Sequence, residues 1–179
     1  MTGEYTIEKR AILETELDGH LRYSLNDVSF HKRDTSAMIT IHVSLNGEDF
    51  NSYWADGLLI ATPTGSTAYS LSCGGPILFP DAQSLLITPV APHNLNVRPV
   101  ILSDQSELTL KFEGRGENFL VAFDSRNLLA DYQSEIRVRK AQFRLHMIVF
   151  QERSFAKSLH EKLNWGKDSR NLLPRDTDN

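Results

Sequence analysis

Apolar residues along the chain repeat with a period of two, the spacing of half-buried strands. From Tyr5 to Leu17, the residues Tyr5, Ile7, Ala11 and Leu13 share one face, and Glu8, Arg10, Glu14 and Glu16 the other. This predicts one long strand, broken in pattern at Ile12 and turned by Asp18-Gly19. Leu21 to Phe30 continues as strand, interrupted by Asn26-Asp27, two polar residues that need partners if buried. His31 to Ser36 is a polar loop. Met38 to Leu45 alternates with Ile39, Ile41, Val43 and Leu45 inward, and Asn46-Gly47 predicts a tight hairpin into a return strand over Glu48 to Ala55.

Leu58 to Ala61 is a short apolar run bounded by turn residues, the pattern of a fully buried strand. It is followed by Thr62-Pro63-Thr64-Gly65-Ser66-Thr67, and then by a short helix over Ala68 to Ser72 with Thr67 as its cap. A strand, a hydroxyl-rich loop and a helix start can aim hydroxyls and backbone N–H groups at a polar or anionic ligand, but the same layout also serves as a plain connection. Ile77 to Gln83 reads as irregular, Leu85 to Val90 as strand, and Ala91 to Pro99 as loop. Leu108–Phe112 and Phe119–Phe123 read as a hairpin around Glu113-Gly114-Arg115-Gly116-Glu117, and Glu135–Lys140 and Phe143–Phe150 as a final strand pair. Ser154 caps a helix with Phe155, Leu159 and Leu163 on one stripe, ended by Trp165-Gly166.

The fold class is therefore mainly β, with strands spaced as in a β-sandwich, one short helix after the Asp56–Ser72 motif and a terminal helix. Residues 1–153 are expected to form the sandwich domain, 154–166 the terminal helix and 167–179 a flexible tail.

Composition narrows the function classes. The net charge of −4 argues against a nucleic-acid surface, which needs clustered cations, and the short basic runs His31-Lys32-Arg33 and Arg137-Val138-Arg139-Lys140 read as solvated faces. No stretch has the length and apolarity of a membrane span or a secretory leader, so no membrane partner is expected. Cys73 is the only cysteine, so no internal disulfide can form, no structural zinc pattern arises, and a cytoplasmic setting is the expectation. Walker, G-x-S-x-G, H-E-x-x-H and G-x-G-x-x-G motifs do not occur.

The run Asp56-Gly57, Thr62-Pro63-Thr64-Gly65-Ser66-Thr67-Ala68-Tyr69 and Gly74-Gly75-Pro76 closely resembles the signature of NAD kinases. Asn26-Asp27 resembles that family's Asn-Glu/Asp pair. Val90-Ala91-Pro92-His93, Asn96-Val97-Arg98-Pro99 and Phe123-Asp124 resemble later segments, and the last helix resembles the family's own. The resemblance runs from about Gly3 to Trp165. It implies transfer of a phosphoryl group from ATP with a divalent metal such as magnesium, or from polyphosphate in some members, to the adenosine-ribose 2′-hydroxyl of NAD, giving NADP. It further implies a β-sandwich carboxy-terminal domain that supplies much of the NAD pocket and the contacts of a dimer or tetramer.

Carried over position by position, the resemblance makes Asn26 a reader of the adenine edge, with Asp27 beside it one carbon shorter than the Glu of many members. Asp56 accepts from ribose hydroxyls or the carboxamide, Thr64, Thr67 and Ser72 offer hydroxyls, and Ala68 leaves space for the dinucleotide. Tyr69 packs its ring on the ligand, Ala91 lines the nicotinamide side, and Asp124 is the later acidic position. The family's catalytic aspartate lies in a Gly-Gly-Asp-Gly motif of an amino-terminal α/β domain, and that motif does not occur here. The expectation is a carboxy-terminal, NAD-binding domain with no catalytic residue of its own, inactive alone, whose last helix packs towards the missing domain. A non-catalytic nucleotide-binding or assembly module, or a lipid-kinase-like domain, is the alternative.

Overall fold

The computed structural model describes residues 5–33, 37–150 and 154–164. The expected loop residues 34–36, the helix end at Trp165-Gly166 and the tail 167–179 lie outside the described residues. Two compact units are present, one over Lys9–His146 and a smaller one from the described residues of Met1–Glu8 and Met147–Asn179.

The larger unit is a sandwich of two antiparallel sheets. Its strands are β2 (Leu13–Leu17), β3 (His20–Ser24), β4 (Asp27–His31), β5 (Ile39–Leu45), β6 (Glu48–Ala55), β7 (Gly57–Ala61), β8 (Ser84–Val90), β9 (Val100–Ser103), β10 (Leu108–Glu113), β11 (Asn118–Phe123), β12 (Arg126–Asp131) and β13 (Ile136–Lys140). One sheet has the order β3-β2-β13-β10-β5-β6 and the other β12-β11-β4-β7-β8-β9. Alternation aims one residue set of each sheet at the other. Leu13, Ile41, Leu110 and Val138 from the first sheet and Phe30, Leu58, Ile87 and Phe119 from the second meet in one fully buried core.

The central strand β7 is buried on both faces. Leu58 and Ile60 point into the sandwich, whereas Leu59 and Ala61 join Leu86 in a small outer cluster with Cys73 and Leu78. That outer cover is why the run Leu58 to Ala61 shows no alternation. The predicted turns at Asp18-Gly19 and Asn46-Gly47 both form, with φ of 50° and 74°, and 53° and 86°, respectively.

Several expectations are corrected. Tyr5 to Leu17 is two strands, β1 (Tyr5–Arg10) and β2, separated at Ala11-Ile12, and Tyr5 and Ile7 are exposed. β10 and β11 form no hairpin, because β10 pairs with β5 and β13 in one sheet and β11 with β4 and β12 in the other. The chain instead crosses from one sheet to the other between two interior strands, and Phe112 and Phe119 stack between the sheets at 4.1 Å between centroids. The last two strands do not pair with each other either: β13 pairs with β2 and β10, while β14 (Leu145–Phe150) and β1 make a separate two-stranded sheet. In both cases turn residues report a chain reversal but not the partner strand. β9 and β12, which the pattern missed, are edge strands with few buried side chains.

The terminal helix α2 (Phe155–Leu163) begins as expected. The Ser154 hydroxyl accepts from the Lys157 N–H at 3.2 Å, and Asn164 closes the helix with a left-handed φ of 54°.

Candidate functional site

Strand β7 delivers the chain at Ala61 into the hydroxyl-rich loop. A 3-10 turn over Thr64–Thr67 and the one-turn helix α1 (Tyr69–Ser72) follow directly. Thr67 is not the cap of α1. Its hydroxyl donates back to the Thr64 carbonyl at 3.4 Å, and Ala68 occupies the capping position without a side-chain bond. The 3-10 turn takes up the residues that an ordinary cap would use.

The hydroxyls of the loop divide into a buried supporting set and an outer set. Thr62 is fully buried. Its Oγ1 donates to the Leu25 carbonyl at 2.6 Å and accepts from the Gly65 N–H at 3.1 Å, while its own N–H donates to the Asn26 carbonyl at 2.9 Å. Ser66 Oγ donates to the Pro63 carbonyl at 2.7 Å and accepts from the Leu78 N–H at 2.9 Å. Ser70 Oγ lies 2.9 Å from Thr88 Oγ1, both buried. Gly65 is pressed against the Asn26 carbonyl so closely that a Cβ would fall on it. Thr64, Thr67, Tyr69 and Ser72 remain on the open side, partly or largely exposed.

The Asn26-Asp27 pair opens β4, with Asn26 just before the strand and Asp27 its first residue, against this loop. Both carboxylate oxygens of Asp124 receive its backbone: Oδ2 accepts from Leu25 N–H at 2.9 Å, and Oδ1 from Asn26 N–H at 2.8 Å and Asp27 N–H at 3.3 Å. In return the Asp124 N–H donates to the Asp27 carbonyl at 3.1 Å. Asp124 holds a positive φ of 51° in the turn between β11 and β12. Asp27 is buried, and burial together with the Asp124 charge raises its pKa to about 6.

Three further side chains, Tyr69, His31 and Asp56, lie towards the other end of the β4–β7 pair. Burial raises the Tyr69 phenol, and Cys73 and the carboxylates of Asp27 and Asp56 add to the effect. Burial lowers the His31 imidazole, against the pull of Asp56, and the His31 and Tyr69 rings lie 5.7 Å apart. Asp56 is held from both ends. Its Oδ1 pairs with Lys32 Nζ at 2.6 Å, its carbonyl accepts from the Lys32 N–H at 3.0 Å, and its N–H donates to the Val90 carbonyl at 3.0 Å. Ala91 follows at a φ of 44°, exposed.

The β4–β7 register puts Asp27 opposite Ala61 and His31 opposite Gly57, so Asp27 and Asp56 mark the two ends of this strand pair, with the Tyr69 ring beside His31, Asn26 against Gly65 and Thr64 at the start of the 3-10 turn. Thr67, Ala68 and Ser72 continue the wall along the 3-10 turn and α1. His31, Lys32 and Cys73 join this surface although the pattern pointed elsewhere. The basic run His31-Lys32-Arg33 read as a solvated face, but Lys32 is the ionic partner of Asp56 and His31 packs beside Tyr69. Only His31, on the strand that starts at Asp27, carried a signal of this in its position. Polar groups converging beside a partly open aromatic ring suit a ligand with several hydroxyls and a flat base.

A family model described as "ATP-NAD kinase C-terminal domain" matches residues 25–150. An NAD kinase of Flavobacterium psychrophilum is 48% identical over 174 residues, covering 94% of this chain and 59% of that protein. One from Bacteroides fragilis is 45% identical over 172 residues, with shares of 94% and 59%. The chain therefore spans about three-fifths of the length of these relatives. Among solved structures, yeast NADH kinase complexed with NADH has a TM-score of 0.84 and 26% identity, covering 90% of this chain and 51% of that one. An Archaeoglobus fulgidus NAD kinase in complex with ATP shares the fold, with a TM-score of 0.75 over 88% of this chain and 60% of that one, at 23% identity. With the family model covering the site, the whole of the second sheet and all of the first but β2 and β3, this chain belongs to the NAD kinase family, as its carboxy-terminal domain.

Proposed function

We propose that this domain forms the NAD-binding wall of an NAD kinase that transfers a phosphoryl group from ATP to the adenosine-ribose 2′-hydroxyl of NAD. The packing of the Thr62–Ser72 loop flush on the Asn26-Asp27 segment, with the exposed Tyr69 ring beside His31, carries the reading. Asn26 reads the adenine edge, with Asp27 at its side. Asp56, oriented by Lys32, accepts from ribose hydroxyls or the carboxamide. Thr64, Thr67 and Ser72 donate or accept along the dinucleotide, Tyr69 packs on it, Ala68 leaves it room and Ala91 lines its nicotinamide side.

Phosphoryl transfer rests on positioning, charge neutralisation and an oriented nucleophile. Among the described residues no cluster of three or more His, Cys, Asp or Glu forms a metal site. The family resemblance implies a divalent metal that arrives with ATP, and no step in this domain is assigned to it. The Gly-Gly-Asp-Gly motif does not occur in the sequence, which supports a domain that binds NAD but does not turn it over alone. In the whole enzyme it works with an amino-terminal catalytic domain, in a cytoplasmic homo-oligomer.

Calorimetry with NAD on the wild type and Asp56→Ala tests the binding role. Heat in the wild type that is lost in the variant supports it, and no heat in either leaves only an assembly role. Incubation with NAD, ATP and magnesium tests the catalytic claim, since clear NADP formation by this chain alone would sink it.

A further inference from the structure

The Asp124 carboxylate is spent on backbone. Three consecutive N–H groups, from Leu25, Asn26 and Asp27, converge on its two oxygens, and the Asp27 carbonyl takes the Asp124 N–H. Charge-assisted bonds of this kind are about twice as strong as neutral ones. On its other side the same loop is held by Thr62, through the carbonyls of Leu25 and Asn26. The two clamps fix the backbone from opposite sides, and the Asn26 and Asp27 side chains project from the segment between them. Asp124 itself sits at a positive φ in a hairpin turn, a conformation that Asp adopts more readily than most other residues.

We infer that Asp124 is a positioning residue for NAD recognition, acting on the dinucleotide through the Leu25–Asp27 backbone and not by touching it. This rests on the NAD-binding role proposed above and assigns how part of that site is set. An Asn at this position has one accepting oxygen and an NH2 that faces the loop's donors. Such an exchange alters the loop while leaving the volume almost unchanged.

The test uses Asp124→Asn and Asp124→Ala in the 179-residue chain. Hydrogen exchange is followed at the Leu25, Asn26 and Asp27 amides, the Asp27 carboxyl is titrated by NMR, and NAD binding is measured by calorimetry. Both variants are expected to speed exchange at those three amides by roughly tenfold or more, the equivalent of one or more lost hydrogen bonds. Exchange at Val43, in the opposite sheet, is expected to stay unchanged. NAD affinity is expected to fall with the loop's protection, and Asp27 in Asp124→Asn to titrate lower because a neighbouring negative charge is gone. Lost NAD binding with unchanged amide exchange would overturn the inference and make Asp124 a direct contact. Faster exchange with unchanged NAD affinity would overturn it equally, since the loop's order would then not matter to the ligand. If the wild type binds no NAD, the binding role fails, and exchange and titration still decide whether Asp124 clamps the loop.

Discussion

The backbone carbonyl of Asn26 occupies the place that a Cβ on residue 65 would need. Gly65 lets the hydroxyl-rich loop lie flush on the Asn26-Asp27 segment, so two site segments distant in sequence form one surface. Gly65→Ala is expected to push them apart, costing about 1–3 kcal/mol in urea unfolding as overpacked sites do, and to weaken NAD binding in calorimetry. Full binding in the variant would show that the close approach is not needed by the ligand.

Thr62 supports the same contact from beneath. Thr62→Val keeps the shape but removes the bond to Leu25 and leaves the Gly65 N–H without its acceptor. A buried donor without a partner costs about 1–3 kcal/mol, so the urea midpoint should fall while near-UV signals of the core persist.

Asp27 makes stability depend on pH in an unusual direction for a carboxylate. Its folded pKa of about 6 lies above its model-peptide value of 3.8. Between those values the folded state holds the proton that the unfolded chain has released, so this residue's contribution falls as pH rises. The penalty is complete above about pH 6 and absent below 3.8. Asp27→Asn is therefore expected to be more stable than the wild type near neutrality, by at most about 3 kcal/mol, with the gain vanishing in acid. Urea titrations at several pH values read this directly, and a constant difference across the range would refute it.

Lys32 and Asp56 separate binding from folding. Both side chains are partly exposed, 24% and 38%, and such pairs contribute under about 1 kcal/mol to stability. Lys32→Met should leave the urea midpoint nearly unchanged. It should weaken NAD binding, because Asp56 loses the ammonium group that fixes its orientation.

Phe119 tests the arch between the sheets. It is fully buried, with Phe112 at 4.1 Å and Tyr132 at 5.3 Å between ring centroids. Phe119→Ala is expected to cost about 3–5 kcal/mol, measured by chemical denaturation, the largest loss among these variants.

Much of this was legible in the residues, because local chemistry leaves local signs. Asn46-Gly47 and Asp18-Gly19 have the backbone freedom their turns require, and Leu58 to Ala61 reads as buried because both its faces are. Family membership was legible in the run from Asp56 to Pro76, whose layout alone could serve as a plain connection but whose residue order resembles the NAD kinase signature. Strand partnership was not legible. Gly114 to Glu117 turns the chain whether its flanks pair or separate, and only the facing sheets show that Phe112 and Phe119 belong to different layers. The edge strands β9 and β12 bury too little to show a pattern. Lys32 looked like one of several surface cations, since nothing in its neighbours shows that β4 ends beside Asp56.

The Asn26-Asp27 loop is closed by bonds that reach 37 residues forward to Thr62 and 98 or 99 residues forward to Asp124. Contacts of such span are the slow ones, since the entropy of closing long loops is lost before packing repays it. A growing chain therefore presents the whole Thr62–Ser72 motif well before it has the surface that the motif belongs to. Affinity for the dinucleotide should then appear only in the last kinetic phase of refolding, after β11 has docked beside β4. With the binding role proposed above, ligand capture would double as a report that folding is finished.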